Sequence, residues 1–275
     1  MVLEWAAKEG WNPGVHDGKS FYRADPEGFF VGWLEEEPVG AISAVRYGAG
    51  FGFVGLYIVR PEYRGQGYGK RIWDYGVDFL QGRNVGLDGV VEQQANYGKS
   101  GFRLAYRNIR FEGKVGEIQK FQQVDTRLKD SSKWVDLWKC DVKEISRYDR
   151  QFFPESRQEF LAEWVTQDGS VGVGVRQNEK WLGLGVIRRC REGYKIGPLY
   201  GENKQIAQEI LYKLVEKLHP AEPVYLDIPE PNPFARELVQ ELGMQPVFET
   251  ARMYNKETPQ VDLSKLFGVC TFELG

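Results

Sequence analysis

The chain has 275 residues, 42% hydrophobic and 27% charged, and its 36 Lys and Arg against 39 Asp and Glu give a net charge of -3. This length favours two domains, and the charge lacks the basic excess of proteins that bind nucleic acid. Three widely spaced cysteines, Cys140, Cys190 and Cys270, fit neither a disulfide framework nor a zinc motif. The longest apolar run, Phe51–Val59, is too short to span a bilayer. We expect a cytoplasmic protein that uses no metal, nucleic acid or membrane.

The first half contains a regular succession of predicted elements. A short helix is predicted at Val2–Lys8, and the Gly- and Pro-rich segment Gly10–Gly14 ends it. Apolar runs separated by turn residues predict three antiparallel strands, at Phe29–Leu34, Val39–Tyr47 and Phe51–Val59. The apolar face of the next predicted helix contains Ile72, Trp73, Val77 and Leu80. A further strand is predicted at Val85–Val91.

The second half repeats this order of elements. Its predicted strands are Val171–Arg176, Trp181–Arg189, Tyr194–Tyr200 and Val224–Ile228, with a helix at Gln205–Leu218 before the last strand. Two short similarities extend the repeat: Leu87-Asp88 matches Leu226-Asp227, and Gly101-Phe102 matches Gly243-Met244. Because internal similarity at this spacing indicates repeated architecture, we infer two copies of one fold.

A glycine-rich turn, Arg64-Gly65-Gln66-Gly67-Tyr68-Gly69, stands between the third strand and the following helix. The start of a helix has unpaired backbone N–H groups and the positive end of the helix dipole, which favour an anion. Alternating glycines let the backbone approach a pyrophosphate closely, and Lys70 adds positive charge. The pattern is neither GxxxxGK[ST] nor a GxGxxG with an acidic residue about 20 positions on, so it predicts a different kind of phosphate site.

The segment Val59–Gly69 resembles motif A of the GNAT (Gcn5-related) N-acetyltransferases, with Arg64, Gly67 and Gly69 at the three defining positions. The resemblance covers Val2–Gly113 well and Cys140–Tyr254 weakly. It implies an α/β fold with a mixed sheet, in two tandem GNAT folds. The implied organisation is a GNAT domain at 1–116, a linker at 117–132, a degenerate GNAT-like domain at 133–256 and a tail at 257–275.

A narrower resemblance, to the YitH-like tandem GNAT proteins, rests on Glu9–Gly14, Asp25-Pro26 and Gly86–Val90. The GNAT fold usually opens with a strand before its first helix. This chain begins at the helix, so that strand is either absent or encoded upstream.

In GNAT enzymes the backbone amides of the motif A turn hold the pyrophosphate of coenzyme A. The preceding strand pairs with the pantetheine arm and splays from the next strand to admit it. The resemblance therefore implies acetyl-CoA as cosubstrate. The implied binding residues are Leu56, Tyr57, Ile58, Val59, Arg64, Gly65, Gln66, Gly67, Tyr68, Gly69 and Lys70.

The segment Gln94–Phe102 resembles a later GNAT segment in which a tyrosine stands four residues before a Gly-Phe pair. Tyr97 falls on that position, and the resemblance implies that it protonates the departing thiolate. An alkylammonium acceptor must also lose a proton before it attacks. Because the strand Phe51–Val59 contains no carboxylate, Glu92 is the candidate base, with Asp88 and Tyr57 as alternatives.

The loop after the first helix is expected to border the acceptor site, with Trp11 and Asn12 as candidate substrate-binding residues and His16 and Asp17 beside them. In the second half the glycine-rich turn is replaced by Tyr200–Gln205, which has one glycine and an acidic side chain. We expect this half to bind no acetyl-CoA and to shape the acceptor pocket instead.

These observations predict an N-acetyltransferase that transfers acetyl from acetyl-CoA to a primary amine of a small molecule by direct attack. We expect it to act as a monomer or homodimer with one cofactor site per chain. The alternative is a non-catalytic acyl-CoA-binding sensor or scaffold, because the central strand lacks a carboxylate and the second copy is degenerate.

Overall fold

The computed structural model describes residues 1–121 and 132–275. The middle of the predicted linker, 122–131, lies outside the described residues. The α-helices of the described part are Val2–Lys8 (α1), Asp17–Ala24 (α2), Tyr68–Phe79 (α3), Gln94–Lys99 (α4), Val115–Phe121 (α5), Val142–Asp149 (α6), Gln158–Trp164 (α7), Lys204–Val215 (α8) and Pro233–Glu241 (α9). The first residues of the predicted linker, 117–121, are therefore helical.

The strands of the same residues are Phe29–Leu34 (β1), Glu37–Tyr47 (β2), Phe51–Val59 (β3), Asn84–Val90 (β4), Arg103–Lys114 (β5), Ser132–Asp136 (β6), Ser170–Gln177 (β7), Lys180–Arg189 (β8), Tyr194–Gly201 (β9), Pro223–Pro229 (β10), Gln245–Tyr254 (β11) and Leu266–Gly268 (β12). The predicted strands and helices of both halves are confirmed, with ends displaced by no more than about three residues, the usual uncertainty of element boundaries. Asp17 is a correction: it begins α2 and does not lie in an open loop.

The strands of the described residues form one mixed sheet, in the order β1-β2-β3-β4-β11-β5-β10-β9-β8-β7-β6, with β12 attached through β9. The two halves exchange strands at the centre of this sheet. β11 of the second half lies between β4 and β5 of the first half, and β5 lies between β11 and β10. Each half therefore completes the sheet of the other.

Two buried ion pairs connect the exchanged strands. Arg252 on β11 donates to Asp88 at the end of β4, over 2.8 Å from Nε and 2.5 Å from Nη2. Arg110 on β5 donates to Asp227 at the end of β10, over 2.7 Å from Nε and 2.8 Å from Nη2. The repeated Leu-Asp dipeptides thus have equivalent roles, but each carboxylate has its arginine in the opposite half.

The core has three parts. One lies under α3, where Ile72, Trp73 and Leu80 are buried as their spacing predicts. A second lies under α8 in the second half. The third is shared, because side chains of both halves and of residues 266–274 pack together on the opposite face of the sheet. This shared core holds the two halves in one fixed arrangement.

Candidate active site

The parallel strands β3 and β4 separate halfway along their length. They pair from Phe51 with Asn84 to Val54 with Leu87, and β3 then leaves its neighbour. At this point β3 also bulges, because Leu56 and Tyr57 stand opposite the single residue 42 of β2 and Leu56 has a φ of 46°. The divergence that the family resemblance implies is therefore present, and a cavity of about 440 Å³ opens beside it.

The glycine-rich turn lies at the mouth of this cavity. Gly67 is the residue before α3 and has a φ of 85°, and Gly65 has a φ of 75°. A Cβ at either position would meet nothing within 4 Å. Among the described residues, none accepts a hydrogen bond from the backbone N–H of Gly65, Gln66 or Gly67. The turn therefore presents open amides at the start of a 12-residue helix, an arrangement that fits a pyrophosphate.

Several side chains of this segment are engaged elsewhere in the protein. Arg64 donates through Nε to the carbonyl of Val59, over 2.8 Å, and through Nη2 to Glu9. Lys70 pairs with Asp74 at 2.6 Å on the exposed side of α3, and the Gln66 amide donates to the carbonyl of Glu62. Phosphate binding at this turn would depend mainly on the backbone.

The predicted cofactor residues divide into two groups. The cavity is lined by Leu56, Tyr57, Ile58, Val59, Arg64, Gly65 and Gly69. Gln66, Gly67, Tyr68 and Lys70 lie outside the lining, in the turn and the first residues of α3. A Cβ at Gly69 would be 2.7 Å from the Tyr57 hydroxyl, so this glycine permits the strand and the turn to approach each other.

Tyr97, the general acid that the family resemblance implies, lines the same cavity. Its ring packs over Gly89, where a Cβ would be 2.2 Å from the ring, and against Trp73, with ring centroids 5.3 Å apart. Burial raises the pKa of Tyr97. The hydroxyl therefore keeps its proton at neutral pH, which is the state that a general acid requires.

The three base candidates differ in position. Glu92 is exposed in a short 3-10 turn and does not line the cavity. Asp88 lines the cavity, but its carboxylate accepts from Arg252 and from the Asn108 amide, at 2.8 Å. Burial raises the pKa of Tyr57, so its phenol also stays protonated. None of the three combines access to the cavity with an uncommitted carboxylate.

The two candidate acceptor residues also separate. Trp11 lines the cavity. The Asn12 side chain instead accepts from the backbone N–H of Glu192 at 3.0 Å and donates to its carbonyl at 2.9 Å, which joins the first loop to the second half. Of the neighbours, His16 is exposed, and Asp17 is buried and paired with Arg188 at 2.9 Å.

The second half has a splayed strand pair of its own. Its strands β9 and β10 pair in parallel from Tyr194 with Val224 to Ile196 with Leu226 and then separate. Here β12 occupies the gap: Leu266 and Gly268 pair with β9, and the N–H of Val269 donates to the carbonyl of Asp227 at 2.8 Å. Residues 266–269 of the tail thus take the place that a pantetheine arm would need.

The tail continues from the second cleft to the first. A Cβ at Gly197 of β9 would be 2.5 Å from the carbonyl oxygens of Val269 and Cys270, and a Cβ at Gly55 of β3 would be 1.9 Å from that of Glu273. Phe272 and Glu273 line the first cavity. Sequence reasoning missed both residues, although a lone carboxylate in the apolar run 269–274 was a signal.

The helix that follows the second cleft also differs from α3. Asn203 precedes α8, and its side chain accepts from the N–H of Ile206 at 3.0 Å. Glu202 pairs with Lys265 of the tail at 2.8 Å. Self-capping and a carboxylate replace the open glycine amides of the first half.

Two further findings concern the described residues as a whole. None of their helices has the length and apolar character to cross a membrane. No group of three or more His, Cys, Asp or Glu side chains in these ranges could hold a metal ion.

Comparisons with known proteins agree with this geometry. Residues 2–102 match the model described as the acetyltransferase (GNAT) family, and residues 145–268 match an acetyltransferase (GNAT) domain. The chain is 31% identical, over its full length and 90% of the relative, to the holothin acyltransferase of Pseudoalteromonas sp. (strain SANK 73390).

Solved structures extend the similarity of fold. A candidate acetyltransferase from Pyrococcus horikoshii superimposes with a TM-score of 0.77 at 22% identity, covering 94% of this chain and 84% of the other. A tandem GNAT protein from the clavulanic acid biosynthesis pathway gives a TM-score of 0.61 at 12% identity, covering 94% of each chain. The chain belongs to the GNAT acetyltransferase family and contains two GNAT domains in tandem.

Proposed function

We propose that this protein transfers the acetyl group of acetyl-CoA to a primary amine of a small molecule, by direct attack of the amine on the thioester. The observation that carries the proposal is the first cleft. A splayed strand pair and Tyr97 line one cavity, and a glycine-rich turn with open amides stands at its mouth before a helix. The relative named holothin acyltransferase supports a small-molecule acceptor.

In this proposal the residues have separate tasks. The amides of Gly65, Gln66 and Gly67 bind the pyrophosphate, and the unpaired edge of β3 beyond Val54 pairs with the pantetheine arm. The amine forms a C–N bond at the thioester carbonyl carbon, and the C–S bond then breaks. Tyr97 gives its proton to the departing sulfur, so that the products are an amide and the thiol of coenzyme A.

The test is a transfer assay with acetyl-CoA and a panel of small amines, following thiol release. We expect Tyr97→Phe to lower kcat about 100-fold, within the range of general acid catalysis, while acetyl-CoA binds as before by calorimetry. Tyr22→Phe is the matched control, because Tyr22 is 60% exposed and lies outside this cavity. Binding of acetyl-CoA without turnover of any amine would instead identify a sensor or scaffold.

We further propose one acetyl-CoA site per chain, in the first cleft. The tail strand β12 supports this, since it pairs with β9 where the second cleft would admit a ligand. Titration by calorimetry should give a stoichiometry near one, and two equivalent sites would contradict it. We propose a cytoplasmic location, which fits the free thiols of Cys140, Cys190 and Cys270.

A further inference from the structure

We propose that Glu273, supplied by the tail of the chain, is the general base that takes the proton from the acceptor amine. This inference rests on the proposed acetyl transfer and assigns a residue to its missing step. Strand β3 lines the cavity but contains no carboxylate. The tail of the chain brings a carboxylate, that of Glu273, to the same cavity.

The tail fits against β3 only because Gly55 has no side chain. A Cβ there would be 1.9 Å from the Glu273 carbonyl oxygen and 3.1 Å from its Cα. Gly55 is the residue directly before the bulge at Leu56, where β3 leaves β4. The backbone of Glu273 therefore packs directly against β3 at the point where the cavity opens. The Tyr47 hydroxyl donates to the carbonyl of Leu274 at 3.1 Å and fixes the next residue.

The cavity is lined by three carboxylates, and two of them are committed. Glu9 accepts from Arg64 at the glycine-rich turn. Asp88 accepts from Nε and Nη2 of Arg252. Glu273 accepts a hydrogen bond from the Thr271 hydroxyl, and among the described residues no lysine or arginine forms a salt bridge with it. Of the three, it is the carboxylate without an ion-pair partner among the described residues, and it can therefore accept a proton from a ligand.

Most of the charged groups near Glu273 form ion pairs with one another and not with Glu273. The charged groups in or next to this part of the cavity are Asp17 (α2), Asp88 (β4), Arg110 (β5), Arg188 (β8), Lys195 (β9) and Asp227 (β10). Arg110 and Arg188 pair with Asp227 and Asp17, respectively, and Asp88 pairs with Arg252 of β11.

Lys195 is buried and donates to the carbonyl of Asn12 at 3.0 Å, and burial lowers its pKa. One lysine and one glutamate thus remain after the ion pairs are counted. The buried Lys195 ammonium and the Glu273 carboxylate therefore attract each other.

The walls of the cavity near Glu273 are aromatic. Phe272 and Phe248 line it, with the Arg110 guanidinium 4.9 Å and 5.7 Å from their ring centroids, and Trp11 lines it from the first loop. A carboxylate among aromatic rings fits an ammonium group attached to an apolar or aromatic skeleton.

The proton balance of the step is complete. Glu273 takes one proton from the ammonium, directly or through a water, and later releases it to solvent. The neutral amine attacks the thioester carbon. The departing thiolate gains a proton from Tyr97, and the second proton that the nitrogen loses as the amide forms restores the Tyr97 hydroxyl, directly or through water. The net reaction converts an ammonium and an acyl thioester into an amide, a thiol and one released proton.

The test compares Glu273→Gln with Glu257→Gln in the full-length protein. Glu257 lies on the same tail but is exposed and away from the cavity, so it controls for the loss of one tail carboxylate. The probes are acetyl-CoA with benzylamine, tryptamine and spermidine. For the amine that wild-type protein acetylates best, we expect Glu273→Gln to lower kcat/KM about 100-fold at pH 7 with unchanged acetyl-CoA Kd and Tm. Glu257→Gln should match wild type.

A pH series separates a base from a merely structural residue. Raising the pH deprotonates the amine in solution, so the deficit of Glu273→Gln should shrink by about tenfold per pH unit while the amine remains mostly protonated. A deficit that stays constant with pH would overturn the inference. Glu273→Asp keeps the charge if Glu273→Gln fails to fold, and its shortened carboxylate should give a smaller, equally pH-dependent loss.

The two proposals fail differently. If wild-type protein acetylates none of the three amines, the proposed function falls and the inference falls with it. If wild type is active and Glu273→Gln retains full kcat/KM, the inference alone is wrong.

Discussion

Each half of this protein contains a splayed pair of parallel strands, and the two resulting clefts differ in what occupies them. In both, a parallel strand pair separates directly before a glycine, at Gly55 in β3 and at Gly197 in β9. The first cleft is open, and its helix begins with uncapped glycine amides. The second is closed by β12, and its helix begins with a capping Asn203. A splayed strand pair alone therefore does not define a ligand site, because the occupant of the gap and the chemistry of the helix start decide it.

The largest loss of stability is expected when one of the buried ion pairs between the two halves is broken. Arg252→Met leaves the buried Asp88 carboxylate without its cation, which should lower the free energy of unfolding by about 3–5 kcal/mol, measured by urea denaturation. Arg110→Met should do the same at Asp227 in the other cleft. Because the central strands are exchanged, we expect one cooperative transition in each case.

The control for this pair is Arg23→Met. Arg23 and Glu159 form an ion pair in which both side chains are more than half exposed, at 63% and 60%. Its loss should change stability by less than about 1 kcal/mol. Two separate unfolding transitions, one for each half, would break the comparison by showing that the clefts are independent.

A smaller effect, on the affinity for acetyl-CoA, is expected at the glycine-rich turn before α3. Gly67→Val places a β-branched residue at a φ of 85° and disturbs the amides that the proposal assigns to pyrophosphate. Loss of two charge-assisted hydrogen bonds predicts an acetyl-CoA Kd raised roughly 100-fold, or about 2.7 kcal/mol. Calorimetry measures this directly.

Gly243→Val provides the matched control. Gly243 has a φ of 67° and open space around its Cβ position, so the backbone strain is similar, but it lies beside β11 and away from the turn. It should lose stability and keep its affinity for acetyl-CoA. Equal losses of affinity in both variants would assign the Gly67 effect to general destabilisation.

The smallest effect is expected at the capped helix start. Asn203→Ala removes the side chain that accepts from the N–H of Ile206 and should cost about 1 kcal/mol of stability. Affinity for acetyl-CoA should not change, because this helix faces the filled cleft. Gln205→Ala, at an exposed position of the same turn, keeps the cap and should be nearly neutral. A weakened acetyl-CoA Kd in Asn203→Ala alone would indicate a second ligand site.

Local patterns were sufficient for one part of this structure. Apolar runs bounded by turn residues predicted most strands, and the glycine-rich turn was recognisable because its chemistry is contained in six consecutive residues, Arg64–Gly69. The Leu-Asp repeat indicated two copies of one fold. These features depend on contacts between residues close in sequence, and a single sequence reports such contacts well.

Contacts between residues far apart in the sequence could not be predicted from these local patterns. Nothing local to Asp88 indicates that its partner is Arg252, or that β11 enters the first half. The sequence therefore favoured Glu92 as the base, because it lies close in sequence to Tyr97. Glu273 lines the cavity although it is more than 170 residues away from Tyr97 in sequence. Its segment, 269–274, lacks a regular period because it is buried by many different elements and not by one sheet face.

The exchange of central strands also has a consequence for synthesis on the ribosome. β4 emerges early, but its partner β11 begins at Gln245, so at about 5–20 residues per second the edge of β4 waits on the order of ten seconds. During that time it is an open template for incorrect pairing. Residues 266–275, which are made after β11, then close the second cleft and bring Glu273 to the first. A product that stops before residue 266 would lack both, so we expect acyl transfer only from chains that have been translated through Glu273.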